Sequence, residues 1–445
     1  MKTKSLFRHI GLFTGILLPA SLSAFEVHEW GTFTVLVSSR GQTVNWYQPY
    51  SDSAKLPAFV MMNNAMVMKS NIKAARVRME TPVIYFYPEE ETTVSVRVAF
   101  ANGNITERFP TTNDGPYGSM GTQPSFILNI EPSMTCVAVG PTRESIFNQR
   151  MREFSVNTAP TVARWTGKLL PPDHANAKLI PAVDAQQGEN YAAARNVPDA
   201  WIFQSDAPGN SFIPATQQVE KFIFYRGAGQ SLPPYCVSMP DDHSVTFTNQ
   251  SQSASTFQVA LRVRDGQATW VQIPNISSPA TKSAPSATIT FPEKTISLDQ
   301  ADRELRALFL GELTTRGLTQ AEAQAMIDTW NHTWFAESGQ RVFTIVDRTW
   351  VDSNLPLGIT PEPKKLERVF VARFEVLSPA DEKKLGAIMT KQASNTQTVT
   401  KIADLELGRF SNGAAEIVAE NMKQTLLNHF NEIAAQEQTT AGARK

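Results

Sequence analysis

Between residues 25 and 292 apolar side chains recur in short runs at every second position, the period of a β-strand with one wet face. Val94, Val96, Val98 and Phe100 alternate with Thr93, Ser95, Arg97 and Ala99, and Asn102-Gly103 then gives a two-residue hairpin signal. Phe257, Val259, Leu261 and Val263 alternate with Gln258, Ala260, Arg262 and Arg264, after which Asp265-Gly266 turns the chain into an apolar run at 268–273. Val83-Ile84-Tyr85-Phe86-Tyr87 is apolar on both faces, which predicts a central strand. Stretches rich in Pro, Gly, Asn and Ser, at 110–124 and 206–214, predict long loops that cover a sheet edge or build a site.

The pattern changes at Ser297. Ser297 with Gln300, and Thr319 with Glu322, are capping-box signals ahead of helical runs at 298–313 and 321–335, with Gly317 between them. Strand patterns return at 341–346 and 368–377, and Pro356, Pro361 and Pro363 mark the loop that separates them. Pro379 predicts the first position of a third helix, and Val418, Met422, Leu426, Phe430 and Ile433 share one face of a fourth. The expected fold class is α+β: a β-sandwich-like body over 25–292, a helical and mixed portion over 293–436, and a frayed tail over 437–445.

The N-terminus alters the compartment. Lys2, Lys4 and Arg8 precede an apolar segment from Ile10 to Leu22 that exits through Ser21, Ser23 and Ala24, the order of a signal peptide over 1–24. That segment is short for a membrane span, which needs about 20 residues. An exported protein, periplasmic or extracellular, is expected, with no stable membrane span after cleavage. Removing Lys2, Lys4 and Arg8 takes the formal charge from −1 to −4. No basic stripe points to nucleic acid. The partner expected is an unknown ligand or a component of the envelope. In an oxidising compartment Cys136 and Cys236, the two cysteines of the chain, are expected to pair, the alternative being two free structural thiols.

Two blocks concentrate candidate chemistry. In His28-Glu29-Trp30-Gly31-Thr32-Phe33-Thr34, a strand places Val27, Glu29, Gly31, Phe33 and Val35 on one face and His28, Trp30 and Thr32 on the other. Glu29 then points to the more apolar side, where a carboxylate needs a partner or a proton. It is either an acid/base or metal ligand beside His28, or one half of a structural ion pair. The ion pair is the preferred reading. Gly31 admits a close backbone or ligand. In Met79-Glu80-Thr81-Pro82-Val83, Glu80 shares its face with Arg76 and Arg78, so a local charge cluster is preferred over a catalytic group.

These blocks resemble those of a family of exported, largely uncharacterised bacterial proteins carrying HEWGTFT and ETPVxYFY motifs. The resemblance extends through Leu56-Pro57-Ala58-Phe59-Val60, through the segment from Asn190 to Arg195, where Tyr191 stands at a position the family often fills with His, and through the segment from Glu220 to Gly227. Later matches lie at Asp328-Thr329-Trp330 and from Val351 to Leu357. The resemblance implies no activity, cofactor or fold.

Weaker candidates are Arg226 before Gly227-Ala228-Gly229, a possible anion loop that reads better as a turn, and Asp328 with His332, one helical turn apart. Arg348 and Asp352 flank Trp350 in a proline-marked loop and are candidate cleft residues. There is no GxSxG, HExxH, P-loop or GxGxxG after a strand. The sequence leaves the cofactor and any metal unknown. The function expected is an exported binding or structural protein; the alternative is an exported hydrolase or metal-dependent enzyme using Glu29, Glu80 and His28.

Overall fold

The computed structural model describes residues 23–44, 46–47, 56–62, 74–113, 162–183, 189–206, 217–279, 284–391, 401–402 and 404–411. The signal segment through residue 22, Cys136 and the helix expected at 418–433 lie outside the described residues. The fold is α+β, with strands dominant and the longer helices in the C-terminal part.

The N-terminal strand, Ser23–Val37, organises an eleven-stranded sheet. From one edge the order is Ile296–Ser297, Gln267–Ile273, Gln258–Arg264, Gly339–Ile345, Pro363–Val376, Ser23–Val37, Val77–Tyr87, Ile223–Gly229, Gly103–Phe109 and Met61–Met62, with Thr43–Val44 folded back onto the N-terminal strand. The described strands downstream of residue 293 therefore form no sheet of their own. Gly339–Ile345 and Pro363–Val376 are inserted at its middle, and Pro363–Val376 runs parallel to the N-terminal strand. Parallel neighbours need a crossover connection, and here it runs from Val37 to Pro363, through most of the chain.

Both faces of this sheet are buried. Phe25, Val27, Phe33, Val35 and Val37 join Val94, Val96, Val98, Trp165 and Phe203 in one core. Those partners come from a five-stranded sheet (Gln218–Glu220, Ile202–Ser205, Val162–Leu170, Thr92–Ala99, Leu357–Thr360), and Val245 and Phe247 come from a three-stranded one (Tyr235–Ser238, Ser244–Asn249, Ser286–Thr290). This layer pair is the sandwich that the alternation predicts. Trp30, Val83, Tyr85, Phe224, Phe343 and Val371 face the opposite way. They are covered by helix α1 (Glu189–Ala193), α2 (Leu298–Thr315) and α3 (Gln320–Asn331), which makes a third layer. A sheet apolar on both faces requires it, since burying each large apolar side chain contributes about 1.5–3 kcal/mol.

The helix starts follow their caps. Ser297 Oγ accepts the Gln300 N–H at 3.2 Å, and Thr319 and Glu322 form the full reciprocal box. The segment expected as a loop around Trp350 is instead helix α4 (Arg348–Asn354). Asp347 caps it by accepting the Trp350 N–H at 3.1 Å, and seven residues are too few for helical periodicity to register. Helix α5 (Pro379–Lys391) starts at the expected proline.

One irregularity shapes the site. Register passes from Thr32↔Glu80 to Trp30↔Val83, so Thr81 and Pro82 both oppose Gly31, a bulge with Thr81 at φ 49°. The extra residue swaps faces: Val77 and Met79 share a core with Ile84 and Phe86. A Cβ at Gly31 would lie 2.7 Å from the Phe370 ring and 3.1 Å from Pro82 Cα, which is the close approach the glycine anticipates.

Candidate functional site

The pleat of the N-terminal strand divides the sequence candidates. Glu29 goes to the sandwich side, while His28, and Glu80 opposite Thr32, go to the helical side.

Glu29 and Arg368 are register partners on adjacent parallel strands, so their side chains leave the same face. Arg368 Nε donates to Glu29 Oε2 at 2.5 Å and the Tyr225 hydroxyl donates to Oε1, all three residues being buried. Arg368 also donates to Asp352 Oδ1 at 2.8 Å and to the Leu355 carbonyl at 2.7 Å. Arg348 Nε then binds both Asp352 oxygens at 2.9 and 2.8 Å. Glu29, Asp352 and Arg348 thus belong to one chain of alternating charge that runs from the surface into the core. The sequence reading missed its two central members, Arg368 and Tyr225; the available signal was that Arg368 shares a strand face with the apolar Phe370, Ala372 and Phe374. Burial lowers the Arg368 pKa, but Glu29, then Tyr225 and Asp352, together prevail and hold that guanidinium above its ordinary value. Burial, then Glu29, pushes the Tyr225 phenol well up. Arg348 and Asp352 pair with each other one turn apart on α4.

On the other face Glu80 closes a second network. Its Oε1 accepts Arg409 Nη1 at 2.9 Å and lies 3.6 Å from Arg78 Nε, while Oε2 accepts the Thr34 hydroxyl at 2.6 Å. Burial opposes its ionisation, but Arg409, then Arg78, the Thr34 hydroxyl and Arg373 prevail and hold it down at about 2. Arg373 continues the network to Glu375 and, at 2.6 Å, to Glu337; Arg341 Nε stands 3.1 Å from Glu375. Of the two arginines expected beside Glu80, Arg78 is there, whereas Arg76 donates instead to the Thr43 hydroxyl at 3.3 Å, and the leading partner, Arg409, comes from far along the chain.

His28 joins neither network. Glu322, the capping-box carboxylate of α3, takes His28 Nδ1 at 2.8 Å and the Tyr87 hydroxyl at 2.6 Å while also accepting the Thr319 N–H at 2.7 Å. A carboxylate only accepts, so Nδ1 carries the hydrogen. His28 Nε2 is buried with no hydrogen-bond partner. Burial, then Glu322, pushes the Tyr87 phenol far above its ordinary value. Glu322 was read as a cap and not as a site residue.

Arg226 donates to the Thr81 hydroxyl at 3.1 and 3.3 Å and lies over the Phe224 ring. Gly227, Ala228 and Gly229 are strand residues, not the expected turn or an anion loop: a Cβ at Gly227 would stand 2.6 Å from the Asn104 carbonyl. Asp328 binds Arg306 at 2.6 Å and Gln324 at 3.0 Å. A further closed cluster, unforeseen, joins Glu220 to Arg195 at 2.6 Å and to the Tyr191 hydroxyl at 3.0 Å. There burial prevails and raises the Glu220 carboxyl above its ordinary value despite Arg195. Cys236 is half-buried, and its expected partner Cys136 lies outside the described residues.

A cavity of about 510 Å³ opens beside Tyr87, lined by Val197, Asp199, Thr319, Gln320, Ala321 and Gln324. Glu29, Glu80, Arg226 and Arg348 are not among its walls. Among the described residues no three His, Cys, Asp or Glu side chains already converge as a metal site, and no helix is long and apolar enough to cross a membrane.

No family model matches the chain, and no curated protein matches it. Among solved structures it is similar to the Fcho1 mu homology domain of Danio rerio with bound Eps15 peptide, at 7% identity over 80% of this chain and 97% of that chain, with a TM-score of 0.27. The yeast delta-COP-I mu-homology domain complexed with a Dsl1 WxWxV peptide is similar at 5% identity, over 80% and 98%, with a TM-score of 0.25. At these scores the likeness carries no functional weight.

Proposed function

We propose that this chain is an exported binding or structural protein, periplasmic or secreted, and that its motif residues hold an unusual three-layer fold together. The observation that carries this reading is the closure of both motif carboxylates. Glu29 is buried against Arg368 and Tyr225, and Glu80 is buried against Arg409, Arg78 and Thr34, on opposite faces of one sheet. Acid/base catalysis by a carboxylate pair needs both groups within reach of one substrate. The alternative hydrolase using Glu29, Glu80 and His28 lacks that convergence. Pairing of Cys136 with Cys236 belongs to the same proposal and follows from the oxidising compartment.

Expression of the full chain in a Gram-negative host, followed by fractionation and intact-mass measurement, tests the export half. A product in the periplasm or medium, shortened by about 23 or 24 residues at the signal junction, is expected. Full-length protein retained in the cytosol contradicts it. A hydrolase substrate panel tests the other half: turnover that Glu29→Gln abolishes while the protein stays folded overturns the non-catalytic reading.

A further inference from the structure

We propose that His28, Glu26 and Glu367 form a binding site for a divalent cation of the zinc class, formed when Lys365 is displaced. His28 and Glu26 lie two residues apart on the same face of the N-terminal strand, and Glu367 is the direct register partner of His28 on the neighbouring strand. Three donors therefore project from one small patch at the end of the sheet.

The feature that points to a ligand is His28 Nε2. Its ring is fixed because Nδ1–H donates to Glu322, so in the neutral ring the Nε2 lone pair is the free acceptor. That atom is buried without a hydrogen-bond partner, and the nearest acidic oxygen, Glu26 Oε2, stands 3.7 Å away. A lone pair beside a carboxylate oxygen has nothing between them to attract both. A cation supplies it: two donors of a tetrahedral zinc ion at about 2.0–2.2 Å lie roughly 3.4 Å apart. A carboxylate behind the distal nitrogen is also the usual support for a metal-bound imidazole, fixing its tautomer and raising its basicity. One imidazole nitrogen with carboxylate oxygens suits zinc-class ions better than magnesium, which prefers oxygens and retained water.

Lys365 explains why the donors do not already converge. Its ammonium stands 3.4 Å from Glu367 Oε1 and 3.9 Å from Glu26 Oε2, taking the place of positive charge between them. Lys365 and Glu26 have side chains 44% and 42% exposed, so either can turn away without disturbing the core. The Glu367 carboxyl rests over Gly317, close to the turn that leads into α3.

Calorimetric titration of the untagged full chain with Zn²⁺, with Mg²⁺ as the control ion, tests the site. Saturable binding of one Zn²⁺ per chain is expected, weakened tenfold or more in Glu26→Gln and in His28→Gln, with no matching response to Mg²⁺. Lys365→Met removes the competing charge and is expected to tighten Zn²⁺ binding several-fold, which adventitious surface binding would not do. No saturable binding overturns the proposal. So does binding unchanged in Glu26→Gln and Lys365→Met, two exposed positions whose variants stay folded even if His28→Gln does not.

Discussion

Arg368 reaches across from the last long strand to place its Nε 2.5 Å from Glu29 Oε2 on the first, bridging 339 positions of sequence inside the core. Pairing the two strands in parallel buries both side chains almost completely, 1% exposed for Arg368 and 0% for Glu29. Removing one partner of such a pair leaves an uncompensated buried charge, which costs about 3–5 kcal/mol. Asp352 and the Leu355 carbonyl each accept a further guanidinium hydrogen, so the pair also anchors α4.

Tyr225 supplies the other hydrogen bond to Glu29. Tyr225→Phe keeps the ring and deletes only the donor to a charged acceptor, so a loss of about 1.5–3 kcal/mol is expected. Urea unfolding of the two proteins side by side measures it. A variant as stable as the parent contradicts the assignment.

Acid stability depends on Glu80. Its folded pKa of about 2 lies below the ordinary 4.5, so its stabilising contribution is fully present above pH 4.5 and is lost as pH falls towards 2. The shift corresponds to about 3 kcal/mol. Glu80→Gln is expected to lower stability at neutral pH and to flatten the acid limb of a stability–pH curve between pH 4.5 and 2. An unchanged acid limb is the contrary result.

Gly31 faces the bulge at Thr81-Pro82. Gly31→Ala puts a methyl group 2.7 Å from the Phe370 ring and 3.1 Å from Pro82 Cα, a crowding of the kind that costs about 1–3 kcal/mol. A lowered unfolding midpoint checks it. No change would mean that the bulge yields freely.

Much of this was legible in the chain. The alternation at Val94–Phe100 and Phe257–Val263, the doubly apolar Val83–Tyr87 run and the caps at Ser297 and Thr319 all encode local structure through period and hydrogen-bonding type, and each formed as expected. The face assignment at Glu29 was legible for the same reason. Its partner was not, because Arg368 reaches it through register between strands hundreds of residues apart, and no local pattern encodes that. Arg409 at Glu80 and Glu322 at His28 were hidden likewise. The Gly227-Ala228-Gly229 run misled because glycine marks turns and also marks crowded strand crossings, where Phe100 and the Asn104 carbonyl exclude a side chain.

A double-mutant cycle on Glu29 and Arg368, read by urea unfolding, tests the central claim most directly. Glu29→Gln and Arg368→Met are each expected to cost about 3–5 kcal/mol, and the double variant to cost well below their sum, with an interaction energy above about 1.5 kcal/mol. Single variants as stable as the parent, or costs that simply add, would contradict the account of Glu29 as a carboxylate that holds the fold.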